Sequence, residues 1–434
     1  MMRTRAVQTA SLLAGAKAIY PITPSLLLHS LVVLASFTFA VALRAQTDAK
    51  AQQPYAAVNR AAIGYAGPGR ETAHDLPGPE IKIGLLAPLQ GPRKAEGEAL
   101  RQAALLALED EAGNPLPEGR RLALVVRDET GLWGRGASEI VRLVFDDRAV
   151  ALVTSPEGNV AHLAEQVGNR VGVPVLTLSS DSTTTEINIP WLFRLVPNDA
   201  VQAQTIAEDI YRQRAFQKVL LITEHNHDGR VGQEEFEKAA RALNASPPAS
   251  IVIEGNPLDP DAVVKASENM ETVVLWTGPE TAAKLVPRMR EALPARPIYL
   301  CRKAAQMALE DQAASGHCRT CSHKTIGPSS TSLPSSDQES GGIWVVSARP
   351  GQPTARTEFE RRYEARTGTV PSLAAAEVYD AVRLLAAGLR EAGPNRARLR
   401  DRLAKVSNFV GASGIISFDG AGNNQAEVAL TPLK

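Results

Sequence analysis

Residues 411–423, GASGIISFDGAGN, decide the reading of this chain when they are set against 81–92, IKIGLLAPLQGP. The second stretch opens a regular alternation of strands and helices, and the first closes it. IKIGLLA is a short, apolar, β-branched run of the kind that forms a buried strand. GIISFDGAGN reads as a strand and a turn.

Between these ends, RLALVVRD, AVALVTS and VPVLTLSS continue the strand series. Leu100, Ala103, Ala104, Ala107 and Leu108 recur at i, i+3, i+4, i+7 and i+8, which marks one face of a helix between the first two strands. Such alternation implies parallel strands joined by right-handed helical crossovers. The strands are apolar nearly throughout, as expected where helices cover both faces of a sheet. At 193–204, FRLVPNDAVQAQ, the pattern changes. Pro197 and Asn198 end an extended stretch, and Asp199 is placed to cap a helix. A second series follows: KVLLIT, SIVIE, TVVLWTG and RPIYLC. Residues 302–341 are the least regular part, and their GPSSTSLPSSDQES run reads as a loop. IWVVSARP at 343–350 leads the chain back, and YDAVRLLAAGLREAG at 379–393 is a helix.

The predicted fold is α/β, with two Rossmann-like lobes built on parallel sheets and a hinged cleft between them. Lobe one comprises 80–199 and 350–409, and lobe two comprises 200–349 and 410–434. The crossings fall near 197–202, 347–351 and 407–411.

Composition agrees with this division. A chain of 434 residues is too long for one ordinary domain. Its 44% apolar and 22% charged residues are ordinary for a folded soluble protein. Lys plus Arg and Asp plus Glu both number 47, and aromatics are only 5%, so neither a basic footprint nor a stacking platform for nucleic acid is present. Arg3, Arg5 and Lys17 precede an apolar run from Leu26 to Leu43, with Leu-Arg-Ala at 43–45 as a cleavage site. Residues 1–45 therefore read as a signal peptide, with an uncleaved membrane anchor as the alternative. Residues 46–79, polar and rich in Gly, Pro and Ala, read as a linker.

In order and spacing, these segments resemble the type I periplasmic binding protein family. The resemblance is specifically to the branched-chain amino acid (Leu/Ile/Val) binding components of ABC importers, and it covers roughly 80–434. It is carried by IKIGLLAPLQGP, ALRQAALLALEDEAG, VPVLTLSSDSTTTEI, FRLVPNDAVQAQ, YDAVRLLAAGLREAG and GASGIISFDGAGN. It implies an exported, periplasmic protein that captures an amino acid-like small molecule for a membrane permease. It implies no cofactor, no nucleic acid and no catalysis. The same fold also serves as the sensing domain of receptors, so a ligand sensor uncoupled from transport is the second reading.

In open parallel sheets, ligands bind beyond the carboxyl ends of the strands. Two facing lobes would converge there on an enclosed pocket lined with donors. The loop after the third strand offers Ser155, Glu157 and Asn159, and the loop after the fourth offers Ser180, Ser182 and Thr183. Both precede helices, whose first N–H groups and dipole suit a carboxylate. The resemblance implies that Ser155, Ser182 and Thr183 hold the ligand α-carboxylate; helix capping is the alternative for the same hydroxyls. In the second lobe the sequence departs from the family. Asp228 stands where the family has an aromatic residue, and Arg302 and Lys303 stand where an acidic or small residue usually follows the strand. Asp228, Asp181 or Glu157 would then supply the negative charge for an ammonium, or Arg302 would take an anion in a two-pronged hydrogen bond. Trp276 either walls the pocket or belongs to the core.

Cys301, Cys318 and Cys321 are the only cysteines. Cys318 and Cys321, with His317 and His323 nearby, are compatible with zinc; a disulfide or an incidental loop thiol is the alternative in an exported protein. His225, His227 and Asp228 form a second metal-compatible cluster, with a solvated loop as the alternative. No GxSxG elbow, phosphate-cradling GxxxxGK[ST] or HExxH motif occurs, so the chain reads as a binding protein and not as an enzyme.

Overall fold

A computed structural model describes residues 64–71, 79–130, 133–186, 189–254, 258–306, 342–348 and 353–433. Residues 1–45, read above as a signal peptide, most of 46–79, and Cys318, Cys321 and His323 lie outside the described residues.

The strands are β1 (Glu80–Ala87), β2 (Arg121–Asp128), β3 (Ala151–Thr154), β4 (Val175–Thr177), β5 (Leu192–Arg194), β6 (Val219–Glu224), β7 (Ala249–Ile253), β8 (Thr272–Trp276), β9 (Ile298–Leu300), β10 (Ile343–Ala348), β11 (Phe409–Val410), β12 (Ile415–Ile416) and β13 (Val428–Leu433). The helices are α1 (Lys94–Glu111), α2 (Trp133–Phe145), α3 (Gly158–Val171), α4 (Asp199–Ala207), α5 (His227–Ala242), α6 (Pro260–Ser267), α7 (Pro279–Ala292), α8 (Pro353–Thr367), α9 (Leu373–Ala392) and α10 (Arg396–Leu403).

Two sheets carry the architecture. The first runs β2-β1-β3-β4-β5 and is parallel throughout. The second runs β13-β10-β9-β8-β6-β7 and is parallel except for β13, which closes the edge antiparallel to β10. In each, strand order reverses direction at an inner strand, β1 in one and β6 in the other, which leaves a crevice at the carboxyl ends. The first lobe buries Ile83, Leu85 and Leu100 against Val378, Leu385 and Leu389 of α9. The second buries Leu221, Val274 and Tyr299 with Phe236 of α5 and Ile206 of α4. The inner strands are thus covered on both faces while β2 and β7, at the sheet edges, stay partly exposed, and burial of such side chains at roughly 1.5–3 kcal/mol each drives both cores.

Two details depart from the sequence expectation. The helix after FRLVP is capped by Asn198, whose side chain accepts from the Val201 N–H at 2.9 Å, and not by Asp199. Asp199 is buried instead, with its N–H donating to the Ser180 carbonyl at 2.7 Å. The larger correction concerns 410–434, expected wholly in lobe two. The β11–β12 ladder and the turn after it stay on lobe one. Ile416 and Phe418 lie in its core, and the Phe418 ring sits 5.2 Å from Phe193. The Arg194 N–H donates to the Gly422 carbonyl at 2.8 Å, and the Asn424 N–H to the Arg194 carbonyl at 3.0 Å. The last crossing therefore falls between Asn424 and Val428. The physical cause is Asp380 on α9. Its carboxylate accepts from the Ala412 N–H (2.7 Å), the Ser413 N–H (2.7 Å) and the Ser413 hydroxyl (2.6 Å), clasping the loop to lobe one. A Cβ at Gly411 would lie 2.2 Å from that carboxylate, so this close approach requires glycine.

Candidate functional site

The carboxyl ends of both sheets meet in one cleft, and charged residues on the following loops span it. Lobe one contributes Arg93 after β1, Glu129 after β2, Glu157 after β3 and Asp181 after β4. Lobe two contributes His227 and Asp228 after β6 and Lys303 after β9. The Lys303 ammonium lies 2.7 Å from Glu157 and 2.6 Å from Asp228, so it joins the lobes directly. Arg93 continues the chain, 3.0 Å from Glu157 and 3.4 Å from Glu129. Farther along, the Asp181 carboxylate lies 3.0 Å from the His162 ring of α3 and 2.6 Å from the His227 ring of lobe two.

These side chains fill much of the expected space. The void left among Asp199, Glu224, Trp276, Cys301 and Lys303 is about 10 Å³, near the size of one water. The tips converge as the sequence reading expects, but the enclosed pocket lined with free donors is replaced by an ion-pair network. Asp228 explains part of the difference. Its carboxylate sits over the first residue of α3, with the Gly158 N–H at 3.5 Å, which is where the reading places a ligand carboxylate. A Cβ on Gly158 would fall 2.3 Å from Asp228, so only glycine admits that carboxylate.

The surroundings set the charge states. Burial opposes the Lys303 charge, but Asp228 and Glu157 outweigh it and hold the amine above its ordinary range. Burial likewise opposes the Glu157 charge, and Lys303 and Arg93 hold that carboxyl below its usual range. Burial pushes Glu129 up to about 8, against Arg93 and a Ser155 hydrogen bond. Burial also pushes Asp199 up to about 7, against a Ser180 hydrogen bond. Hydrogen bonds to Asp181 and Glu165 raise His162 to about 9.

The predicted site residues separate into groups. Glu157 and Asp228 form the network, and Ser180 and Trp276 line the residual void. Trp276 is also core, 3% exposed, and packs so closely on α5 that a Cβ at Gly232 would lie 2.0 Å from its ring. Ser155 is fully buried, and its hydroxyl accepts from the Glu157 N–H at 3.3 Å. The Ser182 hydroxyl accepts from the Ala200 N–H at 3.1 Å. The Thr183 hydroxyl donates to Asp181 at 2.7 Å. These three hydroxyls organise loops, and none of them is the N-cap of the helix that follows it, a position held by Glu157 in one loop and Asp181 in the other. Asn159 is exposed on α3. Arg302 is placed away from the cleft: it is 6% exposed, paired with Glu377 of α9, and donates to the Val346 carbonyl at 3.1 Å. Its guanidinium is committed to the hinge region and is not offered to an anion. The Cys301 thiol is buried and free, and burial pushes it up to about 12.

Sequence reasoning left out Arg93, Glu129 and His162. Arg93 and Glu129 follow strands of the same sheet as Ser155, and that position after a parallel strand was the available signal. His162, one turn into α3, carried no local signal.

Two α/β lobes whose sheets present their carboxyl ends to one charged cleft define a two-lobed solute-binding architecture. Residues 80–433 match the family described as periplasmic binding protein, and the chain belongs to that family. Its fold is similar to the branched-chain amino acid transporter substrate-binding protein LivJ from Streptococcus pneumoniae, solved with isoleucine. Identity is 20%, coverage is 82% of this chain and 100% of that one, and the TM-score is 0.64. It is also similar to an ABC transporter solute-binding protein from R. palustris solved with benzoate, at 20% identity, 82% and 93% coverage, and a TM-score of 0.67. Among curated proteins, Glutamate receptor 3.4 of Arabidopsis thaliana is 25% identical over 138 residues, which is 31% of this chain and 14% of the receptor. The matched region is thus a small part of that relative. No helix among the described residues is long and apolar enough to cross a membrane.

Proposed function

We propose that this protein is an exported solute-binding component of an ABC importer that closes its lobes on an amino acid or similar small polar molecule and hands it unchanged to a membrane permease. Residues 1–45 would direct export. The observation that carries this reading is the facing of two parallel-sheet switch points across one charged cleft in a member of the family. The ligand class follows from charge. At neutral pH Glu157, Asp181 and Asp228 are matched by Arg93, Lys303 and His162, while burial pushes Glu129 and Asp199 toward their neutral forms, so the cleft carries close to no net charge. A small zwitterion matches such a cleft better than a ligand of one sign. Binding would displace Lys303 from Glu157 and Asp228, the ligand ammonium taking its place.

Calorimetry against neutral amino acids, with benzoate for comparison, tests the reading. Saturable binding of an amino acid supports it. Binding of benzoate alone would replace the ligand class, and no binding to any small polar solute would overturn the carrier role.

One observation favours the receptor-type reading. Asp228 and Lys303 together present a carboxylate and an ammonium inside the cleft, so the closed form is held by the protein's own zwitterion. Solution scattering separates the two. A carrier compacts when solute is added, whereas a self-closed sensor descendant is compact beforehand and does not change.

A further inference from the structure

We propose that His162, Asp181 and His227 form a site for one divalent transition-metal ion of the zinc type, shared between the two lobes. Their ligand atoms all lie within 4.8 Å of one another. Both imidazole Nε2 atoms point at the same carboxylate oxygen, Asp181 Oδ2, at 3.0 and 2.6 Å. The rings meet edge-on with centroids 5.4 Å apart, so neither blocks the other's approach. Zinc takes nitrogen and carboxylate oxygen at roughly 2.0–2.2 Å in a tetrahedral arrangement, which sets ligand atoms a little over 3 Å apart. The two Nε2–Oδ2 separations, 3.0 and 2.6 Å, are shorter than that and would widen by a few tenths of an ångström to admit an ion.

The supporting residues are those such a site needs. Glu165, one turn along α3 and 2% exposed, faces His162 Nδ1 at 3.4 Å and turns Nε2 inward. A carboxylate behind a ligating histidine orients the ring and raises its basicity. Thr183 holds the other Asp181 oxygen through its N–H at 2.9 Å and its hydroxyl at 2.7 Å, which leaves Oδ2 for the centre. His227 is the first residue of α5, held there by the Asn226 cap on the Gly229 N–H at 2.8 Å. Two His and one carboxylate suit zinc, nickel or copper and disfavour calcium and magnesium, which take oxygen shells. His162 and Asp181 belong to lobe one and His227 to lobe two, so an ion here is a strut across the cleft. The second metal-compatible cluster of the sequence is thereby redrawn: His227 is used, while His225 is exposed and Asp228 is paired with Lys303.

The test uses tag-free, chelator-washed protein carrying Cys318→Ser and Cys321→Ser, so that those thiols take no metal. Zinc is titrated by calorimetry, and cobalt by its visible absorption. The expected result is one equivalent bound. His162→Ala and His227→Ala should each weaken binding by at least the roughly 10–100-fold that loss of an outer-shell partner costs. Glu165→Gln should weaken it within that range, and His225→Ala should leave it unchanged. A crystal grown with zinc should show an anomalous peak among the three side chains. Absence of binding, or binding that survives His162→Ala combined with His227→Ala, overturns the site. Melting curves of the metal-free variants matching the parent exclude unfolding as the cause of lost binding.

Discussion

Arg302 and Lys303 are neighbours in the chain, yet they belong to different regions of the molecule. Arg302 turns toward the hinge, where Glu377 of α9 and the Val346 carbonyl enclose it. Lys303 turns into the cleft, where it is shared between two carboxylates from opposite lobes. Side-chain exposure is 7% for Arg302 and 3% for Glu377, against 14% for Lys303 and roughly a fifth for Glu157 and Asp228. A dry one-to-one pair cannot exchange its partner without leaving a buried charge. A shared pair that is partly open to water can be exchanged for a ligand that brings its own charge. The hinge pair is therefore structural, and the cleft pair is the one that function can use.

The sharpest test of that contrast is Glu377→Ala, which leaves Arg302 buried without its counter-ion. Urea denaturation should show a loss of about 3–5 kcal/mol, with Arg302→Met added to Glu377→Leu recovering most of it. Equal losses for the single and double changes would remove the hinge pair from the comparison. Asp380→Ala strips three hydrogen bonds from the 411–413 loop and should cost about 2–3 kcal/mol, with new proteolytic cleavage in 411–424.

The third test concerns pH. Asp199 at about 7 and Glu129 at about 8 have folded pKa values above their unfolded ones. The folded state therefore binds more protons between roughly pH 4 and 8, and stability falls as pH rises through that window. Each group contributes a slope of up to about 1.4 kcal/mol per pH unit. Melting of Asp199→Asn across the window should show a shallower decline; an unchanged slope would mean that Asp199 is ionised when folded. Lys303→Met comes next: a loss smaller than that of Glu377→Ala, because Glu157 keeps Arg93 and both carboxylates are partly open to water, with a larger radius of gyration by scattering. A loss as large as that of Glu377→Ala would erase the distinction between the two regions. Asn159→Ala, on an exposed helix position, should stay within about 0.5 kcal/mol.

How far the chain can be read without coordinates varies along it. The strand runs from IKIGLLA to RPIYLC are legible because a buried strand needs continuous apolar residues over a short length. The loops after those strands are legible as a site because parallel topology puts their carboxyl ends together. The tail is less so. GASGIISFDGAGN reads as strand and turn, but its lobe depends on Asp380, 31 or more residues earlier, whose carboxylate has no local signature. The site hydroxyls are ambiguous for a related reason: Ser155, Ser182 and Thr183 satisfy backbone or carboxylate groups nearby, and such bonds look the same in sequence whether or not a ligand is served.

Sequence alone determined the α/β class, the two series of strands and the family frame, because these follow from hydrophobic period and from the order of elements. Tertiary structure alone decided which charges meet. It sent Arg302 to the hinge and Lys303 to the cleft, filled the expected pocket with ion pairs, and brought His162, Asp181 and His227 to one point. The physical reason is range. Burial patterns repeat every few residues, whereas a charge finds its partner across tens of residues of chain, at a distance that only the packed lobes define.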